Sequence, residues 1–396
     1  MIRWIRQTAT VTLLGLRTTP QRMGSSSVAV IGIAGVVIVF VGVLSIGEGF
    51  KAAMADAGAP DRVLVMRSGA DSEMTSGLSG PQADIIKQAP GLMHIDNRPI
   101  ASAELYVIID LNKRSTGTPA NVPLRGVEPT AFEVRPNVKI ASGRVFEFGT
   151  NEAVVGVGAN RQFAGVELGS EFKSGGLTLK VVGLFEADGS FAETEIWCDS
   201  KVIQNVYRRG NSYQVVLARL DTPASFDTFK SWLTTNKDLD VQVRKESEYY
   251  ASQSNVMTQI ITGIGYTIAA LMGLGATFGA VLTMYTAVAT RTREIATLRA
   301  LGFNTSSVLV AVLVESMALA AVGGLAGGLL AYAGFNGYQT TTMNFQTFSQ
   351  VAFAFAVTTS LLIQGISYAL GMGLVGGLLP AVRAARLPIA TALREL

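Results

Sequence analysis

The chain has 396 residues, of which 49% are apolar and 15% charged, with 42 glycines and a formal net charge of +3. A soluble chain carries about 25% charge, so the composition argues against a wholly soluble protein, and the lack of any Lys/Arg cluster alternating with aromatics argues against nucleic-acid binding. A single cysteine, Cys198, excludes an intrachain disulfide, and a single histidine, His94, without a cysteine cluster argues against a zinc site.

At the start, Ile2, Ile5, Ala9, Leu13 and Leu16 fall on one helical stripe with Trp4 beside it. Arg3, Arg6, Arg17 and Arg22 are interspersed, with no acid among them. This predicts an amphipathic helix lying in the headgroup region. Val28–Ile46 is an uncharged apolar run long enough to cross a bilayer. Ala53-Met54-Ala55 resembles a signal-peptide cleavage site, but the apolar run exceeds the usual h-region of about 7–15 residues, so a retained anchor is expected.

Residues 47–255 read as a folded body. Strands are expected at Arg62–Arg67, Leu105–Leu111 and Val122–Val127, and again at Glu152–Val157, Leu177–Leu184 and Glu195–Cys198. Pro81–Ala89 reads as a short helix with proline in its first turn. Gln214–Arg219, Ala224–Asn236 and Asp240–Arg244 then read as strand, helix and strand, an α+β return that completes a module begun before residue 145.

Thr258–Ala287 is thirty residues long, roughly 45 Å as a helix against a bilayer core of about 30 Å. Part of it is expected to project as a stalk. Val308–Ala333 and Val351–Leu379 are the third and fourth apolar runs. The pairs Gly275/Gly279, Gly323/Gly327, Gly324/Gly328 and Gly373/Gly377 have the spacing that lets helices approach closely. Positive charge gathers before the first run, between the second and third, and in the tail at Arg383, Arg386 and Arg394. Four spans with both termini inside and the body outside fit each of those placements.

Between the second and third runs lies a charged patch, Val288–Phe303. Ile295, Leu298 and Leu301 recur at a spacing of three, with Arg299 four after Ile295, which is helical periodicity. Gly302 follows as a C-cap. The patch reads either as a docking helix or as a set of positive-inside anchors at Arg291, Arg293 and Arg299; Glu294 and the Leu-Gly-Phe stop favour the docking helix. Glu315 is an acid about two turns into the third run. It reads as a structural partner of the basic patch or as a proton site.

No G-x-x-x-x-G-K-[ST] loop occurs, and no Gly-Lys pair at all, so the chain has no P-loop. Gly371 to Gly376 spells G-x-G-x-x-G inside an apolar run, where it reads as helix packing. His94 beside Asp96 has no nucleophile elbow to serve.

Several of these stretches resemble one family, the MacB/FtsX-type permeases of ABC transporters. The order of one span, a large extracytoplasmic domain and three further spans is similar to that family, as are the patch from Thr290 to Phe303, the ending from Leu379 to Arg394, and Glu315-Ser316 followed by a glycine-rich run. Leu124-Arg125-Gly126-Val127, Ser142-Gly143-Arg144 and the run Glu152 to Gly156 resemble its periplasmic domain. The resemblance implies a membrane α-helical fold with four transmembrane helices, and an α+β periplasmic domain inserted between helices 1 and 2.

In the same terms the chain divides into an N-terminal amphipathic helix (1–26), a first span (27–46), a periplasmic domain (47–255) with a β-rich, Sabre-like insert at about 145–213, and a second span with stalk (256–288). A cytoplasmic coupling helix (289–304), a third span (306–333), a short periplasmic loop (334–350), a fourth span (351–379) and a cytoplasmic tail (380–396) follow. The coupling helix would present Arg291, Thr292, Arg293, Glu294, Ile295, Leu298, Arg299, Leu301 and Gly302 to a separate cytoplasmic ATPase dimer. That partner would bind the ATP and Mg; no cofactor, metal or catalytic residue is expected in this chain, which is expected to lack a fused ATPase. A second permease copy or a related permease, a periplasmic adaptor, an outer-membrane channel and membrane lipids are the further partners implied. The implied function is ATP-driven export from the inner membrane by mechanotransmission. The alternatives are an FtsX-like signalling permease controlling a cell-wall hydrolase, and a membrane-anchored periplasmic enzyme.

Overall fold

A computed structural model of the chain describes residues 2–18, 23–55, 58–344, 349–386 and 388. Arg22, residue 387 and residues 389–396, among them Arg394, lie outside the described residues. The chain divides into two compact units. A helical unit comprises 1–48, 259–338 and 355–396, and a body comprises 49–258 and 339–354.

Among the described residues the helical unit is built on six helices: α1 (Ile2–Thr18), α2 (Met23–Ala55), α3 (Glu246–Ala289), α4 (Thr292–Ala300), α5 (Thr305–Phe335) and α6 (Thr359–Ala385). The ends of α2 and α3 that lie beyond residue 48 and before residue 259 belong to the body. Four of the six, α2, α3, α5 and α6, are long and apolar enough to cross a membrane. At 44 residues α3 is about 66 Å long. It begins at Glu246, twelve residues before the apolar run.

Small residues bring α2, α5 and α6 together. A Cβ on Gly373 would stand 2.5 Å from the Ala320 Cβ, and one on Gly377 2.6 Å from the Ser316 Cβ. A Cβ on Gly327 would stand 2.6 Å from the Ala34 carbonyl oxygen. The Ser316 hydroxyl uses that proximity to donate to the Gly373 carbonyl at 2.7 Å. Gly275 and Gly279 on α3 behave differently: a Cβ there meets nothing within 4 Å. Their expected close helix contact is therefore not made within the described chain.

The body is organised by one sheet of ten strands among the described residues. These are β1 (Arg62–Arg67), β2 (Ala101–Asn112), β3 (Pro119–Val127), β4 (Lys139–Gly143), β5 (Glu152–Gly156), β6 (Glu171–Ser174), β7 (Leu177–Glu186), β8 (Ile196–Asp199), β9 (Val215–Arg219) and β10 (Val241–Lys245). Their order is β10-β1-β9-β2-β3-β8-β5-β7-β4, with β6 on β7. Strand β2 serves two partners. Ala101–Glu104 pair with β9, and Leu105–Asn112 pair with β3. The sheet therefore has two halves with separate cores.

One half packs β1, β9 and β10 against Gly80–Ile86 and Phe226–Thr235, burying Val63, Ile86, Phe229 and Leu233. The other half buries Leu105, Val122, Leu124 and Ile196 around Phe163 and Leu179. The β-rich half thus starts at Leu105, well before the expected boundary near 145. The reason is that β3 pairs in parallel with β8, a partner about seventy residues away that local pattern cannot identify.

The segment expected to be a plain loop at 334–350 contains half of a hairpin, β11 (Gln339–Met343) and β12 (Gln350–Ala354), which belongs to the body. The fourth long helix accordingly starts at Thr359, not Val351. Val351 and Phe353 alternate with less buried neighbours as a half-buried strand. Thr358 then caps α6 by accepting from the Leu361 N–H. Tyr106, Arg161 and Gln253 of the body each meet the hairpin segment, at Ser349, Gln339 and Asn344.

Candidate functional site

The charged patch folds as a short helix between two long ones. α4 ends in a complete Schellman motif. The Gly302 N–H donates to the Arg299 carbonyl, and the Phe303 N–H to the Leu298 carbonyl, each at 3.1 Å. The cap residue is Leu301, and Gly302 stands just beyond it at φ +91°, a conformation that costs a side chain. At the other end Arg291 is the N-cap.

Arg291 holds the site together. Its Nη1 donates to Glu315 Oε2 on α5 at 2.9 Å, and its Nη2 to the Gly15 carbonyl of α1 at 2.9 Å. A Cβ on Gly15 would stand 3.2 Å from Glu315 Oε2, so a larger residue there would make the carboxylate shift. Glu315 is thus the structural partner of the basic patch. Glu294 lies one turn along at 3.9 Å from Arg291 Nε, and its own side chain is 66% exposed.

α1 completes the site through its polar face. The Trp4 Nε1–H donates to the Ser306 hydroxyl at 3.0 Å, and the Thr8 hydroxyl to that of Ser307 at 3.1 Å. Ile5, Ala9 and Leu13 of the expected apolar stripe point outward, as a helix at a lipid surface requires.

The predicted residues do not share one face. Ile295 is buried against Met284, Val288 and Val308. Leu298 is half-buried, and Leu301 is 74% exposed. Arg293 and Glu294 are exposed, while Thr292 turns its hydroxyl back onto the Ala289 carbonyl at 2.9 Å. Arg299 is half-buried in the last turn. Between α1, the end of α3, α4 and α5 lies a cavity of about 500 Å³, whose rim includes Arg291, Arg293, Glu294 and Glu315.

Sequence reasoning missed a second constellation, inside the body. Arg125 on β3 is buried and donates to three carboxylates. It reaches Glu195 at 2.7 Å through both Nε and Nη2, Glu73 at 2.6 Å and Glu104 at 3.0 Å. Arg135 makes a two-pronged contact with the same Glu104 at 2.7 and 2.8 Å. Arg62 pairs with Glu246, the first residue of α3. The Tyr106 ring lies 4.9 Å from the Arg125 guanidinium, and the Trp197 indole N–H donates to Glu195 at 2.7 Å. Burial alone would raise the Glu104 carboxyl, but Arg135 and then Arg125 outweigh it and hold the group below its usual range. The cluster sits where β2 changes partner.

The three short motifs of the body acquire roles here. Arg125 is the hub, and Gly126 leaves room for the Ser200 backbone, 2.8 Å from where a Cβ would stand. Arg144 and Glu152 form a two-pronged pair at 2.6 and 2.7 Å that ties the end of β4 to β5. The His94 ring bonds the Leu92 carbonyl, through Nδ1 at 2.8 Å.

A folded body drawn mainly from the chain between the first two of four helices long and apolar enough to cross a membrane, with a capped charged helix after the second, fits a multi-pass membrane protein of permease type. Two family models match: the MacB-like periplasmic core domain over residues 26–236, and the FtsX-like permease C-terminal region over residues 266–389. The chain belongs to the MacB/FtsX-type ABC transporter permease family.

Among its relatives are the macrolide export ATP-binding/permease protein MacB of Hyphomonas neptunium, 25% identical over 99% of this chain and 62% of that protein, and MacB 1/2 of Paracoccus denitrificans, 25% identical over 92% and 55%. The chain thus spans less than two thirds of the length of these curated relatives. The periplasmic region of MacB from Actinobacillus actinomycetemcomitans is similar over 52% of this chain and 94% of that one, at 11% identity and a TM-score of 0.38.

Proposed function

We propose that this chain is the non-catalytic permease subunit of an ATP-driven ABC export complex. A cytoplasmic ATPase dimer, carrying the ATP and Mg, would dock on α4, and α3 would carry the resulting motion outward by mechanotransmission to the periplasmic domain. The names of relatives, which specify macrolide export, support export of a periplasmic or membrane substrate as part of this reading. A second permease, a periplasmic adaptor and an outer-membrane channel belong to the same reading, with both termini in the cytoplasm.

The observation that carries it is the mounting of α4. Arg291 fixes the start of this helix to two neighbouring helices, while Leu301 at its far end stays 74% exposed. An exposed leucine beside a rigid cap suits a partner's groove. A push delivered there has a fixed route into α3 and α5.

The test is co-purification of the ATPase with wild type and with Leu301→Asp, with membrane level measured in parallel. Loss of the ATPase at unchanged membrane level is the expected result. Equal recovery would reduce α4 to a basic loop. Leu301 is a better probe than Leu298, because the half-buried Leu298 also lines the cavity.

A further inference from the structure

The cavity beside α4 has a chemistry that ATPase docking does not explain. Val11, Leu14, Met284, Val288, Ile295 and Val308 give it apolar walls, and at about 500 Å³ it falls within the size range of small-ligand sites, roughly 300–1,000 Å³. Its rim carries two arginines and two glutamates. Arg291 and Glu315 already satisfy each other. Arg293 makes no ion pair among the described residues. Arg291 Nε is buried and has no hydrogen-bond acceptor, since Glu294 at 3.9 Å is too far. The lining therefore offers the Arg293 guanidinium for an anionic group, beside the buried charge of Arg291, and in Glu294 an acceptor for a cationic one.

An apolar chamber with adjacent unmatched donors and one acid matches an amphiphile with an alkyl chain and a zwitterionic head. The location supplies one. α1 turns Ile5 and Leu13 outward, and α3 reaches the end of its apolar run here, which is where a bilayer surface would lie if α3 crosses the membrane. We propose that this cavity binds one zwitterionic phospholipid from that surface. One of its two acyl chains lies among the apolar walls, its phosphate is held by Arg293 beside the Arg291 charge, and its ammonium by Glu294. The bound lipid would buttress α4 along the face that carries Glu294 and Leu298. The proposal does not depend on the ATPase reading, because the site is complete within this chain.

The test is native mass spectrometry of the purified full chain in mild detergent, with added phosphatidylethanolamine or phosphatidylglycerol. Wild type is expected to retain one phosphatidylethanolamine per chain and to bind phosphatidylglycerol about tenfold less well, since the latter has no ammonium for Glu294. Arg293→Ala, an exposed change that leaves the packing intact, should weaken retention about tenfold. Ala311→Phe, which fills the cavity, should abolish it while thermal unfolding stays near wild type. Equal retention by wild type and Arg293→Ala would overturn the proposal, as would equal binding of the two lipids. Release of the lipid on adding the ATPase would assign the cavity to an ATPase side chain and overturn it too.

Discussion

Arg125 in the body and Arg291 in the helical unit both face glutamate with little solvent around them, yet they are held in different ways. Arg125 donates to Glu73, Glu104 and Glu195, and Glu104 is shared with Arg135. Arg291 has one carboxylate within hydrogen-bond reach and one backbone carbonyl. The first arrangement is over-determined: several groups would have to move before any charge is left alone. The second joins three helices through one side chain, so a shift of any one of them is felt by the others. A network of the first kind fixes a shape, whereas a single bridge of the second kind can serve a moving part.

The sharpest way to break the comparison is Arg125→Ala. It leaves three buried carboxylates without their shared cation, and removing one partner of a buried pair costs about 3–5 kcal/mol. The body should unfold at a markedly lower temperature, read by the fluorescence of Trp197, which is bonded to Glu195. An unchanged midpoint would show that the network is dispensable.

Acid probes the same network more gently. The carboxyl of Glu104 is held below its ordinary value, so its contribution is complete above the unfolded value of about 4.3 and is lost as pH falls through the lower folded value. The Trp197 signal of the full chain should hold steady from neutral pH to about 4.3 and fall only below it. Glu104→Gln should remove that part of the acid dependence and lower stability at neutral pH.

In the helical unit Glu315→Gln should act locally. It weakens a charge-assisted bond at a cost of about 1–3 kcal/mol, enough to speed amide exchange roughly tenfold to a hundredfold. The expected change is confined to α1 and α4, with the unfolding of the body unaltered. A body that loosened as well would erase the contrast between the two sites. Gly302→Ala should have the smallest effect, about 1 kcal/mol, from forcing a side chain into the left-handed region at the end of α4. Exchange should rise only at the amides of Gly302 and Phe303, which close the Schellman motif.

Period, charge and capping residues are local signals, and what they specify was legible in the sequence. The four apolar helices, the short helix ended by Leu301 and Gly302, strand β1 at Arg62–Arg67 and the helix bearing Phe229 and Leu233 all follow from spacing within about twenty residues. The glycine pairs on α5 and α6 stand at close contacts as their spacing implies, while the pair on α3 does not, because spacing permits an approach without supplying a partner. The bridge from Arg291 to Glu315 was half legible: both charges were evident, but Gly15, 276 residues from Arg291, was not.

The sequence alone determined the kinds and order of most of the long elements, and which stretch carries the charged helix, since each depends on neighbours along the chain. Only the tertiary structure decided that β2 serves two half-sheets, that the segment 339–354 is a hairpin of the body, and that Glu73, Glu104, Glu195 and Glu246 converge on three arginines. Those are pairings between residues far apart in sequence. A buried ion network has no period to betray it, because each member looks like a solvated charge until the fold removes its water.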